Sequence, residues 1–241
     1  MKKLRTINIA VLAFVFGGCL GVPRTENPIP SIPDTQGNPK DRSVVIMLPG
    51  RGDRADTFIK HGFEQIGREH GFDTIAVDAH FGYYMRRNLM PRLHEDIVLR
   101  AKQAGYRKIW LLGVSMGGLG SLIYASNHPE LVDGVILLAP FLGEKDVIQT
   151  IQEAGGLSIW DPSGSPLEPY ENQMWSWLKS ATASNDGTPV ILAYGVEDRL
   201  AAGYEVLISQ LPDSRVYTSG GGHKWKIWAP MWARIANDLD L

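Results

Sequence analysis

Ser115 stands in the stretch IWLLGVSMGGLG (109–120), where an apolar run meets a serine fenced by glycines. A serine hydroxyl is a poor nucleophile at neutral pH. It attacks only with a base to take its proton, an acid to orient the base, and donors for the oxyanion. The G-x-S-x-G spacing is a weak signal by itself, but here it follows an apolar strand and opens a helix. Gly113 and Gly117 sit where neighbouring chain must pass a serine held in strained backbone angles, and Gly118 and Gly120 allow the helix to lie close to the sheet. The competing reading is a dinucleotide-binding turn. That turn belongs after the first strand, which ends in PGRGD without the required glycine spacing.

Six histidines are candidates for the base. His61 and His70 fall on one amphipathic segment, His94 on another and His128 at a helix end, the common surface and capping positions for this residue. His80 lies just past a strand end. His223, in SGGGHKWKIW, follows three glycines that let the ring swing over the sheet edge. For the acid, AYGVEDRLA puts Glu197 and Asp198 just beyond a strand. Asp198 is preferred, Glu197 is second and Asp146 third, and Asp198 also suits the N-cap of the helix that follows.

The order Ser115, Asp198, His223 resembles the α/β-hydrolases, in which nucleophile, acid and histidine follow separate strands in that order. The resemblance covers residues 43–241. It implies a three-layer α/β fold and a serine hydrolase that cleaves carboxylic ester or thioester bonds through an acyl-enzyme. It also implies an oxyanion hole made by the backbone N–H groups of Met116 and of Arg51 in LPGRGD, with Pro49 standing where the family usually has histidine. No cofactor is expected, and HEDI (94–97) lacks the second histidine of a zinc helix. Aromatic residues gather in the 143–187 insertion and in the loop just past the strand at 73–78. His80, Tyr83 and Trp175 are the candidates for an apolar acyl pocket, against the alternative that such residues only pack the cap onto the body. A small-molecule or lipid ester is the expected partner. Two other readings use the same residues: an envelope protein that binds with a hydrolase scaffold, and an acyltransferase.

Around these residues, short apolar runs alternate with amphipathic ones. Strands are expected at 44–50, 73–78, 108–114, 133–140, 189–195 and 214–220. Helices are expected at 55–71 (capped by Asp56), 90–105, 116–127, 203–211 and from 225. This alternation predicts a mostly parallel sheet of about six strands covered on both faces. Residues 143–187 interrupt it. They read as a cap insertion with helices near 144–154 and 170–183.

The chain has 241 residues, 44% hydrophobic and 21% charged, with a formal net charge of −2 and no basic block, so a nucleic-acid partner is not expected. MKKLR followed by INIAVLAFVF reads as a signal peptide over residues 1–18, too short to span a bilayer. It ends at Cys19, the single cysteine, in a pattern that resembles bacterial lipoprotein signals. That pattern implies export to the cell envelope and a membrane anchor of acyl chains on Cys19. Residues 19–42, rich in proline, read as an extended tether.

Overall fold

The computed structural model describes residues 22–183 and 187–239. The signal segment and Cys19 lie outside the described residues. Wholly buried runs form the central strands β2 (Val44–Leu48), β4 (Ile109–Val114), β5 (Gly134–Leu138) and β6 (Val190–Gly195), as a sheet covered on both faces demands. Three more strands complete it: β1 (Ser31–Asp34), β3 (Asp73–Val77) and β7 (Val216–Ser219). The order is β1-β3-β2-β4-β5-β6-β7, with β1 antiparallel and every other pairing parallel.

Ten helices are described: α1 (Ala55–Lys60), α2 (Phe63–His70), α3 (Phe81–Met85), α4 (Leu89–Arg92), α5 (Leu99–Ala104), α6 (Met116–Asn127), α7 (Lys145–Glu153), α8 (Pro169–Thr182), α9 (Ala201–Ile208) and α10 (Trp225–Asp238). The path from β2 to β3 runs one way along the sheet and the path from β4 to β7 the other. Right-handed crossovers therefore put α1 and α2 on one face and α6 and α9 on the opposite face. α10 packs against α2, and α8 against α6.

Two expected helices are divided. The segment 55–71 breaks at His61 and Gly62, where Gly62 takes a left-handed φ of 72°. Arg54, not Asp56, is the N-cap of α1, and the Asp78 carboxylate accepts from the Ala55 N–H at 3.3 Å. The segment 90–105 is α4, a π-helical turn at Leu93–Val98, then α5, which stops at left-handed Gly105.

The sheet has seven strands rather than six because the proline-rich segment is not a free tether. Its residues 31–34 form β1, paired with β3 at the sheet edge, where Pro33 leaves no central ladder bond unmade. The chain before β1 is strapped to the body. The Tyr83 hydroxyl accepts from Glu26 N–H at 3.0 Å and donates to Glu26 O at 3.2 Å. Asn88 Nδ2 donates to Thr25 Oγ1 at 2.9 Å, and Asp96 Oδ2 accepts from Ile29 N–H at 2.9 Å. Tyr83→Phe removes two of these bonds while keeping the buried ring. It should cost ~1 kcal/mol locally and speed amide exchange at residues 22–30 about fivefold in hydrogen-exchange mass spectrometry, leaving β4 and β5 protected.

Candidate active site

β4 delivers Ser115 at the carboxyl edge of the sheet, where φ is 51° and ψ −114°, a strained setting for a residue with a side chain. Its N–H donates to Leu138 O at 2.9 Å, which fixes the turn to β5. A Cβ on Gly113 would collide with the Gly117 carbonyl, and one on Gly117 with the Leu48 carbonyl. The two glycines are thus dictated by close backbone approach across β2, β4 and the start of α6.

The other two partners arrive on loops after β6 and β7. These loops are bound to each other: Glu197 N–H donates to Gly221 O at 3.0 Å and Val196 N–H to Ser219 O at 2.9 Å. His223 Nε2 lies 2.9 Å from Ser115 Oγ, and His223 Nδ1 lies 2.7 Å from Asp198 Oδ2. The Asp198 side chain is wholly buried, whereas 13% of the His223 side chain is exposed. Asp198 is also the cap of its loop, since Oδ1 accepts from Leu200 N–H at 2.9 Å. The N-cap of α9 is Leu200, without a side-chain bond, so Asp198 does not cap that helix as expected; its carboxylate serves the loop turn and His223. Glu197 is exposed on the same loop, and Asp146 spends its carboxylate on Val147 N–H. Trp228 meets the His223 ring edge-on, with centroids 4.8 Å apart, and limits its swing.

Gly50 brings the loop after β2 against the serine. A Cβ placed there would stand 3.5 Å from Ser115 Cβ. Among the described residues, neither Met116 N–H nor Arg51 N–H has a hydrogen-bond acceptor. The Arg51 guanidinium lies over the Phe81 ring, 4.6 Å from its centroid.

Asp53 is a residue that sequence reasoning passed over. Its carboxylate accepts from Trp225 Nε1 at 3.2 Å, and its N–H turns back to Gly50 O at 3.1 Å. It therefore ties the Gly50–Arg51 loop to the segment just after His223. Partial burial pushes its carboxyl above the usual range. Trp225 in turn stacks on His61, the rings 4.7 Å apart and nearly parallel, which gives that histidine a packing role. The only sequence cue was the position of Asp53, three residues after Gly50.

Of the three pocket candidates the structure brings two together: the His80 and Tyr83 rings have centroids 4.7 Å apart. His80 is the N-cap of α3, its Nδ1 accepting from Gly82 N–H at 3.1 Å. Burial, and after it the Arg54 guanidinium, push its imidazole below the ordinary value. Trp175 is fully buried on α8, in the layer that packs on α6, and lines none of the clefts described. Tyr83 is bound to the strap through its hydroxyl and borders a cleft of about 730 Å³ between α3, α6 and α8. A second cleft, of about 530 Å³, is lined by Phe141, Leu142, Ile148, Leu200, Gly203 and Tyr204 among others. It adjoins the site, because Phe141 N–H donates to Ser115 O at 2.8 Å and Leu200 follows the Asp198 turn. Trp175→Ala should therefore lower stability by about 3–5 kcal/mol in chemical denaturation and leave the preference among acyl chain lengths unchanged.

Residues 43–176 match the model of the family described as the alpha/beta hydrolase fold. Among curated proteins none matches the sequence significantly. Solved structures resemble it at low identity. Est1E from Butyrivibrio proteoclasticus is 16% identical with a TM-score of 0.60, over 86% of this chain and 91% of that one. S-formylglutathione hydrolase (FrmB) from Staphylococcus aureus is 17% identical with a TM-score of 0.58, over 84% of this chain and 82% of its own. FphF, a fluorophosphonate-binding serine hydrolase of the same organism, is 16% identical with a TM-score of 0.55, over 85% of each chain. At these identities the likeness is one of fold.

Proposed function

The chain belongs to the α/β-hydrolase family, and on that premise we propose that it is a serine hydrolase of carboxylic esters or thioesters acting through Ser115, His223 and Asp198. The observation that supports this most is the unbroken hydrogen-bonded line from Ser115 Oγ through both nitrogens of His223 to the buried Asp198 carboxylate. As Ser115 Oγ attacks the acyl carbon, His223 Nε2 takes its proton. Asp198 holds Nδ1–H, which fixes the tautomer and stabilises the imidazolium. The oxyanion forms toward the free N–H groups of Met116 and Arg51, where each donor is worth on the order of 3 kcal/mol. His223 then returns its proton to the leaving alcohol or thiol. Water, activated by the same nitrogen, cleaves the acyl-enzyme and releases Ser115 and a free acid.

The apolar cleft beside Phe141 and Leu200 is the acyl site in this reading. The test is a panel of nitrophenyl esters of graded chain length, run with and without an added alcohol. Free acid as the main product supports hydrolysis. New ester formed in preference to acid replaces it with an acyltransferase, and no turnover of any ester favours a binding scaffold.

We place the protein in the cell envelope, exported by its signal and anchored by acyl chains on Cys19. The support is the sequence of residues 1–19. Intact mass of the membrane-extracted protein tests this: a chain beginning at acylated Cys19 supports it, and a free thiol contradicts it.

A further inference from the structure

We propose that the start of the strap and the C-terminal end of α3 together form the surface on which this protein lies against a lipid bilayer. This placement rests on the anchoring of Cys19, not on the chemistry of Ser115. Four observations converge on the same patch.

The first is where the described chain begins. Val22 O and Pro23 O both accept from Arg86 at 3.4 Å, and the bonds at Thr25, Glu26 and Ile29 hold the rest of the strap down. Only Leu20 and Gly21 separate Cys19 from Val22, so the anchor stands at most about 11 Å of chain from the body. A tether of 24 free residues would let the domain float. This one leaves α3 close to the acyl chains.

The second is charge. Residues 79–94 contain Arg86, Arg87 and Arg92 and no acidic residue, on a chain whose formal charge is −2. Arg92 is paired with Glu95 and Asp96, but Arg24, Arg86 and Arg87 are exposed and make no ion pair among the described residues. Within the strap, residues 22–33, Glu26 is the one acidic residue. Three exposed guanidinium groups beside an acyl anchor, of which Arg86 also donates to the Val22 and Pro23 carbonyls, suit lipid phosphates, with each charge worth about fivefold in partitioning.

The third is apolar exposure. Of six large apolar side chains exposed among the described residues, three flank these arginines: Val22 at 39%, Met85 at 55% and Tyr170 at 45%. Such residues beside arginine match the headgroup level of a bilayer.

The fourth is the cleft of about 730 Å³ that opens at the patch. Arg87 and Tyr170 are on its lining, with Leu89, Met90 and Leu119 as apolar walls. Arg87 holds a φ of 55°, a conformation that costs a side-chain-bearing residue energy. The cleft reaches Tyr84, whose hydroxyl donates to Met116 O, one residue from Ser115.

The test uses the full chain with its own signal, extracted from membranes and reconstituted in phosphatidylglycerol–phosphatidylethanolamine vesicles carrying a spin-labelled lipid. Once Cys19 is acylated, a cysteine introduced as Met85→Cys, Tyr170→Cys or, on the opposite face of the sheet, Glu69→Cys is the single thiol to label with a fluorophore. Quenching at positions 85 and 170 at least fivefold stronger than at 69 is the expected result. It should fall when phosphatidylcholine replaces the anionic lipid and in the triple variant Arg24→Gln, Arg86→Gln, Arg87→Gln. Equal quenching at 85, 170 and 69, or a free Cys19 thiol, would overturn the placement. Fluorophosphonate labelling of Ser115 in the same samples reports on the hydrolase reading independently.

Discussion

Ser115→Ala should reduce ester turnover about 10⁶-fold, equivalent to ~8 kcal/mol of transition-state stabilisation. The variant removes only an oxygen, so the strained turn, its N–H bond to Leu138 O and both flanking glycines remain. Thermal unfolding should shift little, and the loss is then chemical. His223→Ala should cost nearly as much, and the double variant hardly more than either single change, because the hydroxyl and its base act as one unit. Turnover of a nitrophenyl ester by all three proteins checks this. Losses that multiply would mean that Ser115 and His223 act separately.

After the hydroxyl and its base, Asp198→Asn has the next largest expected effect, about 10⁴-fold in kcat. The amide is close in size to the carboxylate, and its oxygen still accepts from Leu200 N–H, so the loop after β6 keeps its cap. What changes is the bond to His223 Nδ1. An amide N–H aimed at that nitrogen favours the tautomer that protonates Nε2, which can no longer take the Ser115 proton. The negative charge that steadied the imidazolium is gone as well. Unfolding should remain cooperative, with stability lowered by about 1–2 kcal/mol at the buried site. Glu197→Gln, exposed on the same loop, should leave kcat within a factor of two. The reverse pattern would transfer the role to Glu197.

The sequence carries the fold unevenly, for physical reasons visible at particular residues. The central strands are readable because both sheet faces are covered, so β2, β4, β5 and β6 are unbroken apolar runs with no competing period. The strap is not readable, because prolines and polar residues look alike whether solvated or bound. What holds it is distant: Tyr83, Asn88 and Asp96 lie 57 to 67 residues further along the chain. The division of 55–71 turns on one left-handed glycine, Gly62, inside a pattern whose apolar spacing continues across it.

At the site, Ser115, Asp198 and His223 could be nominated because each follows its own strand, and strand ends converge at one edge of a parallel sheet. Aromatic residues gave no such guide. Trp175 is fully buried on α8, in the layer that packs on α6, and His80 caps α3. Asp53 carries no local signal, because its partner, Trp225, is 172 residues away.

The central claim is that Ser115 is an activated nucleophile, and covalent capture tests it most directly. Wild-type protein and Ser115→Ala are treated with a fluorophosphonate at neutral pH, weighed intact and digested to map the adduct. One adduct on the wild type, located at Ser115 and missing from the variant, is the result the geometry predicts. An equal adduct on both proteins, or none on either, would contradict it.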